Sequence, residues 1–346
     1  MSYQGVLTPD KEREFRELER QGRLPKKINR FGDSYLKFLL AAPERKWLLL
    51  DLLNAIMSVL GYETMSDIKP TDRELSPDIS DGKGIRLDYL GTTPSGRKID
   101  LEFQKRRDEE FIKRALFCGS SIIHRQLESG SDYHNIRQTI FIGLLDFTLF
   151  DEEPWYWDFL LANLKSGKIL TSDLLLIFIE MKKLTGLLDD LRKRVKRGEF
   201  DGQDPISRLM VWGGYVTSKG VDIVSEVMTQ DKVFTEVMKA ENDYWGNSRN
   251  RYIQYLEEKH ERDALSVITS AERRGEAKGL AKGLAKGEAK GLAKGEAKGL
   301  AKGEAKGLAK GKAEIAKNLL SLGVDYETII KATGMSVTEI ESLRDK

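Results

Sequence analysis

The apolar residues between Ser34 and Ala42 (SYLKFLLAA) fall at helical spacing, and Gly32-Asp33 in front of them supplies an N-cap. Pro43 separates this helix from a second over Glu44 to Leu60. That one is apolar at Trp47, Leu48, Leu50, Leu52, Leu53, Ile56, Met57 and Leu60, with Gly61 placed to end it. The period then drops to two. Ile85 to Leu90 (IRLDYL) and Lys98 to Gln104 (KIDLEFQ) alternate, and the turn-forming Thr92-Thr93-Pro94-Ser95-Gly96 joins them, so a β-hairpin is expected. A helix from about Asp108 to Ser129, closed by Gly130, follows it. Thr139 to Phe147 and Leu174 to Met181 read as buried strands. Helices, hairpin, helix and buried strands make a mixed α/β domain over 31–185. Residues 1–30 form a charged N-terminal arm and 186–270 a mainly helical region.

From Gly275 to Gly311 a glycine occurs every fourth residue, in the unit Gly-x-Ala-Lys with x either Glu or Leu. Successive tetrads rotate about 40° around a helix, so glycines and leucines wind without fixing an apolar face. Each glycine also costs a helix interior about 1 kcal/mol relative to Ala. The segment 271–312 is therefore expected as a frayed helix or spacer, with close Gly-mediated packing on a second copy, a homo-oligomer, as the alternative. Residues 313–346 read as short helices: Ala313 to Leu322, Tyr326 to Thr333 and Val337 to Leu343.

Composition narrows the function classes. Lys plus Arg number 57 against 55 Asp plus Glu, a net charge of +2, so nucleic acid would have to be met by a local patch. The single Cys118 excludes a disulfide-stapled fold, and the three scattered histidines give no His-based metal centre. No apolar run approaches the roughly 20 residues needed to span a bilayer, and no signal-peptide core is present at the N-terminus, so a cytoplasmic protein without membrane partners is expected.

The hairpin carries the candidate chemistry. With the turn centred on Ser95, residues whose numbers sum to 190 face each other, which sets Asp88 opposite Glu102 and Arg86 opposite Gln104. Asp100, Glu102 and Gln104 share one face, while Ile85, Leu87, Tyr89, Ile99, Leu101 and Phe103 form the core face. Facing carboxylates repel. A hard divalent cation, Mg²⁺ or Mn²⁺, would turn that repulsion into ligation and support phosphodiester hydrolysis. Gln104 would orient water but cannot act as a base, so the water would rely on the metal or on Lys105 or Lys83. Lys105, Arg106, Arg107, Lys113 and Arg114 form a basic cluster next to the acids, suited to phosphate. The bland alternative is a solvated hairpin face on which Arg86 neutralises both acids.

The segments Gly82 to Leu90 (GKGIRLDYL) and Gly96 to Gln104 (GRKIDLEFQ) resemble the PD-(D/E)XK nuclease family transposases, grouped with Rpn-type recombination-promoting nucleases. The resemblance extends to Phe31 to Lys37, Leu52 to Ala55, Lys113 to Leu116, Gln126 to Tyr133 and Ile140 to Phe150, and includes the Gly-rich repeat and C-terminal helices. It implies a restriction-endonuclease-like fold and metal-dependent DNA cleavage tied to mobile elements. On it, Asp88 is the motif Asp, Glu102 the motif acid, and Gln104 stands at the motif Lys position. Asp33 matches a further acidic position that would join the metal, and Arg114 would meet phosphate. The Glu-x-Gln departure from the wider Lys leaves a second reading, a weak or inactive nuclease-like scaffold that binds DNA or a protein partner.

Overall fold

Helix α1 (Pro9–Arg20) is followed by α2 (Asp33–Leu40) and α3 (Lys46–Val59), the last entered through a short 3-10 turn at Pro43–Arg45. Five strands come next: β1 (Lys69–Pro70), β2 (Glu74–Leu75), β3 (Ile85–Arg86), β4 (Tyr89–Thr92) and β5 (Lys98–Gln104). Helix α4 (Phe111–His124) crosses to β6 (Thr139–Leu145), and a hairpin of β7 (Tyr156–Ala162) and β8 (Ile169–Glu180) follows. The rest is helical: α5 (Met181–Leu184), α6 (Leu188–Lys196), α7 (Pro205–Val216), α8 (Val221–Val227), α9 (Lys232–Gly246), α10 (Ser248–Ser321), α11 (Tyr326–Thr333) and α12 (Val337–Arg344). This computed structural model describes residues 7–71, 74–75, 85–128, 130–227 and 230–344. Residues Met1–Glu261 form one compact unit and Arg262–Lys346 a second.

The first unit is built on a six-stranded mixed sheet in the order β1-β4-β5-β6-β8-β7. β5, β6 and β8 run parallel, while β4 and β7 flank them antiparallel. The β4–β5 register pairs Tyr89 with Leu101, Leu90 with Asp100, Gly91 with Ile99 and Thr92 with Lys98, every pair summing to 190 as the turn position requires. Gly96 closes the turn at φ +87°, a conformation that favours glycine.

Side-chain parity then divides the sheet between two cores. Tyr89, Ile99 and Leu101 face α2, α3 and the later helices, in one cluster with Ile142, Ile177 and Trp212. Leu90, Phe141 and Phe178 face α4 through Phe111, Ala115, Cys118 and Ile122. The 186–270 region shares the first of these cores: Leu209, Val211, Trp212, Val237 and Tyr244 pack in the cluster that holds the sheet. The N-terminal segment also buries side chains, Phe15 and Leu18 of α1 meeting Tyr252 and Leu256 of α10.

Several expectations change. The run Ile85 to Leu90 is not one strand, because the chain breaks at Leu87–Asp88. β3 pairs instead with β2, setting Arg86 against Glu74 and not against Gln104. Beyond the break Leu87 turns to the α4 side, in the cluster with Leu90. The hairpin face carrying the acids is not solvated: Asp100 is fully buried and Glu102 is 9 % exposed, because α4 covers that side of the sheet. The N-cap of α2 is Gly32, and Asp33 lies inside the first turn, making no capping bond. Edge strand β7 was not legible: its burial does not alternate cleanly.

In the second unit, the tail of α10 with α11 and α12 encloses Ala316, Ile329 and Ile340. Asp325 caps α11, and Gly334 ends it in the left-handed conformation (φ 67°). The Gly-x-Ala-Lys repeat lies within α10, a helix of 74 residues. Between its glycines stand Ala, Leu, Lys and Glu, all good helix formers.

Candidate active site

The period-two alternation of β5 sends Asp100, Glu102 and Gln104 to the α4 side of the sheet. On β6 the residue beside Glu102 is Gly143. A Cβ there would lie 3.1 to 3.3 Å from the Phe111, Phe178 and Phe141 rings, so any side chain at this position would press those aromatics back by a few tenths of an ångström.

The break after β3 carries Asp88 to the same place. The Asp88 amide donates to Glu102 Oε1 at 2.9 Å, and the Phe103 amide donates to Asp88 Oδ2 at 3.1 Å. Each carboxylate is thus held by the other residue's stretch of backbone. Lys37 reaches in from α2, its Nζ 3.2 Å from Asp88 Oδ1 and 2.5 Å from Asp33 Oδ1. Beyond Glu102, Gln104 Nε2 donates to Glu102 Oε2 at 3.4 Å, and Gln104 Oε1 accepts from Arg114 at 2.6 Å. Arg114 also pairs with Asp108 at 3.2 Å.

Burial dominates the electrostatics. Glu102 is pushed up to about 8, first by desolvation and then by the Asp88 charge, with Arg114 and Lys37 pulling the other way. Asp88 is raised by desolvation, against the opposing pull of Lys37. Asp100 is raised well above the ordinary carboxylate range by burial and by Glu102 and Asp88, and among the described residues neither of its oxygens has a hydrogen-bond partner. The first turns of α10 add Glu257, which accepts from the Ser34 amide and hydroxyl at 2.9 Å each. Desolvation, then the Asp33 charge, pushes Glu257 up to about 7. Glu261 pairs with Lys105 at 3.0 Å.

The structure thus gathers Asp88, Glu102, Gln104 and Arg114 into one linked set, with Asp33 joined to it through Lys37. Lys105 is engaged by Glu261, and Lys113 is exposed on α4 next to Arg114. Lys83 lies outside the described residues. Sequence reasoning missed Lys37, Asp100 and Glu257. Asp100 had a signal, since parity puts it on Glu102's face. Lys37 stands four residues after Asp33, which announces their helical pair but not the reach to Asp88. Glu257 had none, being more than 200 residues from Ser34 in sequence.

A hard divalent cation fits this donor set. Asp88 and Glu102 offer carboxylate oxygens whose mutual repulsion a positive charge would relieve. Among the described residues no three His, Cys, Asp or Glu side chains converge in a ready cage.

No helix among the described residues is long and apolar enough to cross a membrane. No curated protein and no solved structure matches the chain. Residues 309–345, the trihelical end of the second unit, match the C-terminal helix-turn-helix domain of the Rpn/YhgA-like nuclease family. The match to the PD-(D/E)XK nuclease family transposases spans residues 30–271, taking in the whole sheet, both acids and the helices that bury them, and the chain belongs to that family.

Proposed function

We propose that the chain is a cytoplasmic, divalent-metal-dependent DNA endonuclease of transposase or recombination-promoting type, hydrolysing phosphodiester bonds. The observation that carries the reading is the interlock of Asp88 and Glu102: two carboxylates held together in a largely buried place, where folding alone gains nothing from their charge. Asp88 and Glu102 would hold Mg²⁺ or Mn²⁺, with Asp33 at the margin. When bound, such a cation polarises a water and offsets charge developing on the phosphate.

The protein's own groups do the rest. The backbone amides of Asp88 and Phe103 fix the acids in place. Gln104, tied to both Glu102 and Arg114, positions the acid and the guanidinium together and leaves a carboxamide hydrogen to orient water. Arg114 and Lys113 meet the phosphate backbone from α4, and Lys105 joins them once released from Glu261. Lys37 supplies beside Asp88 the ammonium that position 104 lacks.

Plasmid nicking with Mg²⁺, with Mn²⁺ and with EDTA tests this. Nicked circles should appear with either metal and vanish with EDTA, and also in Glu102→Gln. Metal-independent nicking, or full activity in that variant, would contradict the assignment.

A further inference from the structure

The Gly-x-Ala-Lys repeat is untouched by the chemistry above. It places nine lysines, Lys278 to Lys310, at every fourth position of α10, against four glutamates at 276, 288, 296 and 304. Every side chain over 271–310 is exposed. Among the described residues none of the nine lysines has an ion-pair partner, and no glycine from Gly275 to Gly311 has a neighbour against the place of a Cβ.

Helix geometry turns that spacing into a ribbon. Successive lysines rise about 6 Å and step about 40° around the axis, so the ribbon makes nearly one right-handed circuit over about 48 Å. The x position lies about 160° from each lysine, so the opposite side carries Leu280, Leu284, Leu292, Leu300 and Leu308 interrupted by the glutamates. A helical partner could not follow it: the apolar line is broken by charge, and its four-residue period lies well beyond the 3.67 that already requires right-handed supercoiling. Each lysine meanwhile faces the next across one turn, and like charges at that spacing destabilise a helix. The ribbon therefore lacks counter-charge, and a dense anionic polymer is what supplies it.

We propose that the repeat helix is a sequence-independent docking rod for the phosphate backbone of duplex DNA. A duplex carries one negative charge per about 1.7 Å of axis, ample for those lysines that face it on whichever side of the rod it lies. Because the ribbon circles the helix, any one approach engages about three neighbouring lysines, which span about 80°. Binding is then insensitive to base sequence and to the rod's rotation, and offsets the lysine repulsion.

The test is fluorescence anisotropy of a random-sequence duplex binding the full-length protein in EDTA, across a series of salt concentrations. Cleavage plays no part in it, so failure of the nuclease reading would leave it intact. Changing all nine lysines to glutamine should lower the slope of log K against log salt by two units or more, at about 0.9 for each phosphate no longer neutralised. Changing all nine to arginine should keep the slope. DNA should also raise the helical circular dichroism of the wild type and not of the glutamine variant. A slope in the glutamine variant within half a unit of wild type overturns the proposal, whether or not the mass in solution changes.

Discussion

Replacing Glu102 by Gln keeps the shape of the side chain and an oxygen for the Asp88 amide while removing a charge that burial disfavours. Burial and the Asp88 charge raise Glu102 from an ordinary 4.5 to about 8. An acid raised on folding binds its proton more tightly in the native state. The stability this brings is complete below 4.5 and is lost as pH climbs through about 8. Each unit of that window is worth about 1.4 kcal/mol, so from pH 6 to pH 8 the group withdraws about 2 kcal/mol of stability. Asp88 and Asp100 are raised too, so they act with the same sign. Urea unfolding in EDTA at pH 6 and pH 8 reads this directly. Wild type should lose at least about 2 kcal/mol between the two, and Glu102→Gln should lose about 2 kcal/mol less than wild type. Excess Mn²⁺ at pH 8 should restabilise wild type and not the variant, since only a ligand that binds the native site shifts the equilibrium. Equal losses in the two proteins would mean that Glu102 is ionised and content without a cation, and the argument from its burial would fall.

Asp88→Asn should abolish metal-dependent nicking with a melting temperature at or above wild type at pH 8; a variant that nicks normally would remove Asp88 from the site. Lys37→Gln strips the ammonium from Asp88 and should cost about 2 kcal/mol in metal-free urea unfolding at pH 8, a loss that Mn²⁺ should reduce. Gln104→Lys should retain or raise nicking, because an ammonium there would stabilise the Glu102 carboxylate; complete loss with an unchanged far-ultraviolet spectrum would give the carboxamide a role a cation cannot fill. Gly143→Ala puts a methyl 3.1 to 3.3 Å from three tightly packed aromatic rings and should lower the melting temperature by calorimetry; an unchanged or raised value would show that the rings yield to it.

The hairpin shows how far local rules reach. Alternation and one turn were enough to set the β4–β5 register, because period two and a glycine-closed turn leave the pairing no freedom to slip. The same parity put Asp100, Glu102 and Gln104 on one face. Helices α2, α3, α11 and α12 were legible from their own period and stop signals, and β6 and β8 from unbroken apolar runs, whereas the short helix expected from Ala313 is the tail of α10, which runs on from Ser248 without a break. What the face would meet was not legible. Polar residues at alternate positions predict solvent, yet α4 closes over them, and whether a helix packs there depends on the β5–α4–β6 crossover and on the aromatic cluster that Gly143 admits. The break at Leu87–Asp88 was equally hidden, since it arises from pairing of β3 with β2, a competition between strands that no single run of residues records. Lys37, Ser34 and Glu257 come to the site from α2 and from a helix more than 200 residues downstream. Periodicity along the chain settles which residues can share a face, but which faces are dry, and so which carboxylates are raised, is settled by the fold, because desolvation belongs to the packing around a group and not to its neighbours in the chain.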